Sequence, residues 1–167
     1  MTKPKLIICG HGRHGKDTMA EYLHEHYKFK HESSSYACLD LFIYESIKDK
    51  YGYTTREECF EDRVNYRKEW FDLITAYCLE FPSKLTEHIF KTSDCYVGMR
   101  SAREFKASKH LADVTVWVDR SKHLPPEDES SNEITAEMCD VVIDNNDSLE
   151  QFYSRIDHFL MYKLELL

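Results

Sequence analysis

Apolar residues first arrive as an unbroken run, Leu6-Ile7-Ile8-Cys9, and then at helical spacing. A short isoleucine-rich block closed by Gly10 predicts a buried strand, and from Lys16 the residues Met19, Tyr22, Leu23 and His26 fall on one helical face. His31 to Tyr36 is polar and serine-rich and is expected to be a second strand running into a loop. Helical spacing resumes at Cys38, Leu39, Ile43 and Ile47 and is broken by Tyr51-Gly52-Tyr53. Thr54 or Thr55 can cap the next helix, with Glu57 or Glu58 completing a capping box. That helix is expected to be long. It is charged at first (Arg63, Tyr66, Arg67, Lys68) and then carries Trp70, Leu73, Ile74, Tyr77 and Cys78 on a core-facing stripe. Pro82 suits the first turn of a further helix containing Leu85 and Ile89.

Cys95 to Met99 reads as the next buried strand, Ser101 as a helix start, and Val114 to Val118 as a strand rich in β-branched residues. Residues 120–132 form a polar loop with Pro125, Pro126 and the acids Glu127, Asp128 and Glu129. A short helix (Thr135 to Cys139), the strand Val141 to Ile143 and a turn at Asn145, Asn146 and Asp147 follow. Leu149, Phe152, Tyr153, Ile156, Phe159 and Leu160 mark the apolar face of a closing helix. Strands alternating with helices through right-handed crossovers predict an α/β fold, a parallel sheet covered on both faces, with its site at the carboxyl ends of the strands.

Composition narrows the picture. With 167 residues and no repeat or low-complexity linker, one domain with a sizeable core is expected. The net charge of −8 argues against a nucleic-acid-binding face. No run approaches the roughly 18 apolar residues of a membrane span, and the opening Met-Thr-Lys-Pro-Lys lacks a signal-peptide core. A cytoplasmic protein is therefore expected, in the host cytoplasm if the chain is viral. The six cysteines are far apart with no C-x-x-C, which favours reduced, mostly buried thiols over a zinc site. His24 and His26, two apart, lie on different helix faces and make a poor metal pair.

The chemistry concentrates between the first strand and the first helix, where Gly10-His11-Gly12-Arg13-His14-Gly15-Lys16 spells G-x-x-x-x-G-K. Glycines let the backbone wrap an anion so that successive N–H groups point inward at the head of a helix whose dipole favours negative charge. Lys16 adds a mobile cation for β- and γ-phosphates. This pattern in its strand–loop–helix setting predicts a nucleoside triphosphate site. Asp17 stands where Ser or Thr usually touches magnesium, and the hydroxyl comes one residue later, at Thr18.

Other stretches add to this. Gly15-Lys16-Asp17-Thr18, Gly98-Met-Arg100-Ser-Ala-Arg-Glu104, Val116-Trp-Val-Asp-Arg120, Ser131-Asn-Glu133 and Val142-Ile-Asp-Asn145-Asn146-Asp147-Ser-Leu-Glu150 occur in this order. Together they resemble the phage-type deoxynucleoside monophosphate kinases, within the P-loop kinases of small nucleotides. The resemblance covers nearly the whole chain but only loosely residues 38–95. It implies a P-loop kinase-like three-layer fold of about five parallel strands. A helical acceptor-binding insertion at about 36–93 and a short lid at about 120–133 belong to that fold. It further implies transfer of the γ-phosphoryl group of ATP, with Mg2+, to a (deoxy)nucleoside monophosphate, and it allows a homodimer.

Under that resemblance Gly10, His11, Gly12, Arg13, His14, Gly15, Lys16, Asp17 and Thr18 hold the donor, with Asn145 near the adenine. Lys16, Arg100 and Arg120 act on the phosphates. Tyr36, Asp40, Arg63, Tyr66, Arg67, Trp70, Arg100 and Glu104 serve the acceptor. Some of these residues have plainer roles that can coexist with the functional ones. Ser101-x-x-Glu104 is also a capping box, Asp147 can cap the last helix, Arg63 and Arg67 can share a solvated helix face, and Trp117 suits the core. Gly98 departs from the group's aspartate, which helps to hold magnesium, and Asp17 is the residue that could supply the missing carboxylate. One alternative is a kinase of a hydroxyl, similar to dephospho-coenzyme A kinase, which usually has a carboxylate base near the end of the second strand; Asp40 is the nearest acid. Another is a non-catalytic nucleotide-binding sensor, favoured by Gly98 and the acidic lid loop.

Overall fold

The computed structural model describes residues 2–129 and 131–165. Met1, Leu166 and Leu167 of the expected single domain, and Ser130 of the expected lid, lie outside the described residues. Five strands form one sheet: β1 (Leu6–Cys9), β2 (His31–Glu32), β3 (Cys95–Val97), β4 (Val114–Asp119) and β5 (Val141–Asp144). Their order is β2-β3-β1-β4-β5, and every neighbouring pair is parallel. Around it lie α1 (Lys16–Tyr27), α2 (Ser34–Cys38), α3 (Tyr44–Tyr51), α4 (Arg56–Asp62), α5 (Arg67–Glu80), α6 (Lys84–Thr92), α7 (Ala102–Ser108) and α8 (Leu149–Tyr162).

Two cores sandwich the sheet. Leu6 and Ile8 of β1 join Val114, Val116 and Val118 against Met19 and Leu23 of α1 and Phe152 and Ile156 of α8. Ile7 and Cys9 point the other way and join Tyr96 and Trp117 against Ile43, Trp70, Ile89 and Phe105. Burial on both faces is why β1 reads as an apolar run without alternation. The α/β expectation, with five parallel strands and helices on both faces, holds.

Local differences have local causes. The second strand ends at Glu32 because Ser33 turns to cap α2, its Oγ accepting from the Tyr36 N–H at 3.4 Å. The π-helical turn Leu39–Ile43 joins α2 to α3, and Cys38, Leu39, Ile43 and Ile47 are all buried along this rod. Thr55 and Glu58 form the capping box of α4. The long helix expected after it is two helices, interrupted by a 3-10 turn at Arg63–Asn65 and by Tyr66 at φ −129°. Arg63 lies over the Phe60 ring, 3.7 Å from its centroid, and donates to the Phe60 carbonyl at 2.8 Å. That bond occupies a carbonyl at the end of α4. Arg63 and Arg67 therefore share no helix face.

Pro82 precedes Ser83, the residue before α6, rather than lying in its first turn. Ser148, not Asp147, caps α8 by accepting from the Gln151 N–H at 3.2 Å, while Asp147 pairs with Arg155. His26 is exposed and leaves the buried face of α1 to Met19, Ala20 and Leu23. The six thiols are free, four of them buried. No described helix is long and apolar enough to cross a membrane.

Candidate functional site

β1 is the central strand, between β3 and β4, so the loops after β1, β3, β4 and β5 all leave from one edge of the sheet. A crevice at that edge is where open parallel sheets bind ligands. The loop after β1 is conformationally special. Gly10 takes φ +153° and Gly15 φ +109°, both outside the usual range of residues with a Cβ. Crowding adds to this: a Cβ at Gly10 would lie 2.7 Å from the Val118 carbonyl oxygen, and one at Gly15 would lie 2.5 Å from Asn145 Nδ2.

Lys16 opens α1 and is nearly buried. Its Nζ donates to the carbonyls of Gly10 and His11, each at 2.8 Å. Burial, and then the charge of Arg100, lowers its pKa, opposed by Glu127 and Asp17. The ammonium thus sits over the loop with its donors on main-chain oxygens, available to a stronger acceptor.

Later loops pack onto this one. His14 is fully buried; its Nδ1 accepts from the Arg120 N–H at 3.0 Å, which leaves Nε2 buried without a partner among the described residues. Asn145 Nδ2 donates to the His14 carbonyl at 2.9 Å, and Arg120 donates to the Asn145 carbonyl at 2.9 Å. Arg120 is thus held beside Asn145 at the end of β5. Trp117 is a core residue, as expected, with the His11 ring edge-on at 5.1 Å. Burial, then neighbouring His14, pushes the His11 pKa down.

Arg100, three residues beyond β3, donates to Glu127 Oε2 at 2.5 Å. The same carboxylate lies against Gly12, where a built Cβ would meet Glu127 Oε1 at 2.6 Å. Its loop is secured twice more, by Glu127 N–H donating to His11 Nδ1 at 3.2 Å and by buried Asn132 donating to the Gly10 carbonyl at 3.2 Å. Burial alone would raise the Glu127 pKa. The Arg100 bond and charge, the Gly12 N–H and Lys16 together hold it below the usual carboxylate range. Neither Glu127 nor Asn132 stands out in the sequence as part of this site.

The expected acceptor residues other than Arg100 lie on several elements of the helical region between β2 and β3 and on α7. Trp70 is 4% exposed and packs in the core edge-on to Phe60. Tyr36 donates to Glu57 at 3.3 Å. Asp40, on the π-helical turn, pairs with Arg56 at 3.1 Å and His88 at 3.4 Å. Tyr66 and Arg67 line a cavity of about 620 Å³ with Lys50, Lys68 and Glu69. Glu104 does not complete a capping box: Ser101 accepts from its N–H at 3.3 Å, but its carboxylate takes the Tyr96 O–H at 2.7 Å. Burial pushes this carboxyl up to about 6, against the Tyr96 hydrogen bond.

Among the described residues, no group of three or more His, Cys, Asp or Glu side chains could hold a metal ion by itself. Magnesium arriving on phosphate oxygens keeps several waters and needs only one or two protein oxygens. The first turn of α1 offers Asp17 and Thr18 for this. Gly98 offers none, and its φ of +87° disfavours any side chain there. No model of a known protein family matches the chain, and no curated protein matches it.

Proposed function

We propose that the chain is a P-loop phosphotransferase that moves the γ-phosphoryl group of ATP to a nucleoside monophosphate, in the manner of the phage-type deoxynucleoside monophosphate kinases it resembles. The observation that carries this reading is the glycine loop between central strand β1 and α1, with Lys16 folded over it and Arg100 beside it. A phosphate monoester has a second pKa near about 6, so at neutral pH the attacking oxygen is largely ionised and needs no general base. The protein's task is to hold two polyanions in line and offset their repulsion.

The loop amides and the head of α1 hold the donor phosphates, and Lys16 turns from the Gly10 and His11 carbonyls to a phosphate oxygen. Arg100 serves the transferring group or the acceptor phosphate, for which a guanidinium fork is suited. Arg120, bonded to the Asn145 carbonyl, belongs to the adenine end of the donor more than to the phosphates. Magnesium bound with ATP, on Asp17 and Thr18, would neutralise part of the phosphate charge. Arg67 and Tyr66, on the wall of the 620 Å³ cavity, are acceptor candidates that line an open space.

One observation favours the hydroxyl-kinase reading. Glu32, the last residue of β2, has its pKa raised by burial and lies near His88 and Asp40. It is a carboxylate base at the end of the second strand, where such a reaction wants one. An ADP-release assay across the deoxy- and ribonucleoside monophosphates, with hydroxyl acceptors in parallel, separates the readings. Turnover with a monophosphate is expected. Turnover with hydroxyl acceptors alone makes Glu32 the base, and ATP binding without transfer makes the chain a sensor.

A further inference from the structure

We infer that Glu127 is an internal occupant of the phosphate seat, a carboxylate from the loop after β4 that fills the glycine loop until the donor's phosphates displace it. The inference rests on the phosphate-loop reading and concerns how that site is regulated. Glu127 holds what a phosphate oxygen would take there: a place against the Gly12 backbone, a bond from Arg100 and the field of Lys16. The fit is close, since a Cβ on Gly12 would come within 2.6 Å of Glu127 Oε1. The carboxylate is also anchored, through its own N–H on His11 Nδ1 and through Asn132, which bonds Gly10 and stands 3.5 Å from Glu127 Oε2.

A solvated acidic loop would not converge on three positive features of a single anion site. Charge-assisted bonds of this kind are the stronger class, so the donor must displace a real competitor. The consequence lies in Arg100. While Glu127 is seated, the arginine is bonded to it; once phosphates take the Gly12 N–H, the pair is broken and the guanidinium is free for the transferring group. Occupancy of the donor site thereby releases the arginine, and the arginine is withheld while that site is empty. An equilibrium between seated and open forms lowers apparent affinity by the open fraction, and removing the occupant restores it.

The test is titration calorimetry of ATP and of inorganic pyrophosphate into the wild-type chain, E127Q, E127D and E129Q. E127Q loses the charge. E127D keeps the charge but is one methylene too short to reach Gly12, and E129Q removes an equal charge from the same loop. The expected result is about fivefold or greater tightening for both Glu127 variants and both ligands, with E129Q within about twofold of wild type. Tightening in E127Q but not in E127D would mean that charge alone matters and would overturn the seated carboxylate. Unchanged or weaker binding in both variants would overturn it while leaving the phosphate loop intact. Failure of every chain, wild type included, to bind either ligand would remove the phosphate-loop reading and this inference with it.

Discussion

Lys16 and Glu104 carry the clearest single-residue consequences. Replacing Lys16 by Ala removes a cationic side chain bonded across the glycine loop, and ATP turnover should fall by on the order of 10² or more. A steady-state ADP-release rate checks this; wild-type turnover in K16A would show that the loop is not the donor site. Glu104 has a raised carboxyl, from an ordinary 4.5 to about 6. The unfolded chain therefore ionises it more readily than the folded one does, and its burial costs nothing below about pH 4.5. The cost grows as pH rises to 6 and is fully present above that, at about 2 kcal/mol. E104Q should accordingly melt higher than wild type at pH 8 and equally near pH 4, read by thermal scans at the two values. At this scale the glycine loop was legible because its signal is contiguous. Glu127 was not, because its partner His11 lies 116 positions away and an acidic loop residue looks like any solvated charge.

Elements were legible where one cause acted alone. Thr55 and Glu58 satisfy each other's orphan donors across one turn, so the capping box could be read from spacing. T55A should cost about 1 kcal/mol and lower the melting temperature without touching ATP binding. Two glycines, Gly52 after α3 and Gly10 in the loop, separate backbone strain from crowding. Gly52 takes φ +71° with nothing within 4 Å of a built Cβ, and G52A should cost about 1 kcal/mol for backbone strain alone. At Gly10 the Val118 carbonyl stands 2.7 Å from that Cβ, so G10A must shift β1 from β4 or the loop from both. It should cost about 2 kcal/mol or more and abolish ATP binding. Equal melting temperatures for the two variants would refute the crowding argument. The break between α4 and α5 was not legible, because residues 56–80 contain no proline or glycine. It is made by Arg63 stacking on Phe60 and taking its carbonyl.

Across the whole molecule, α1 and α8 are clipped by one carboxylate. Asp157 accepts from Tyr22 at 2.9 Å and from Tyr27 at 2.5 Å, and both phenols are raised to about 12. For Tyr27 the Asp157 bond is the leading cause, whereas for Tyr22 it follows burial. D157N should therefore bring Tyr27 further back toward its ordinary value than Tyr22, read by alkaline absorbance titration; unchanged phenol titration would sink the clip. The alternation of apolar runs with helical stripes determined the layered α/β plan, since a strand buried on both faces cannot hide its composition. The glycine spacing likewise determined where the tight loop between β1 and α1 lies, because a Cβ at Gly10 or Gly15 would collide with Val118 or Asn145. Tertiary structure alone decided that Glu127 and Asn132 close around the loop beside Arg100 and Asn145, which the resemblance had already put there. Arg100 arrives on the loop after β3, Glu127 and Asn132 on the loop after β4, and Asn145 on the turn after β5, brought to one edge by a strand order that sequence spacing does not encode. Their chemistry is set by through-space charge and burial, which depend on distances between segments far apart in the chain.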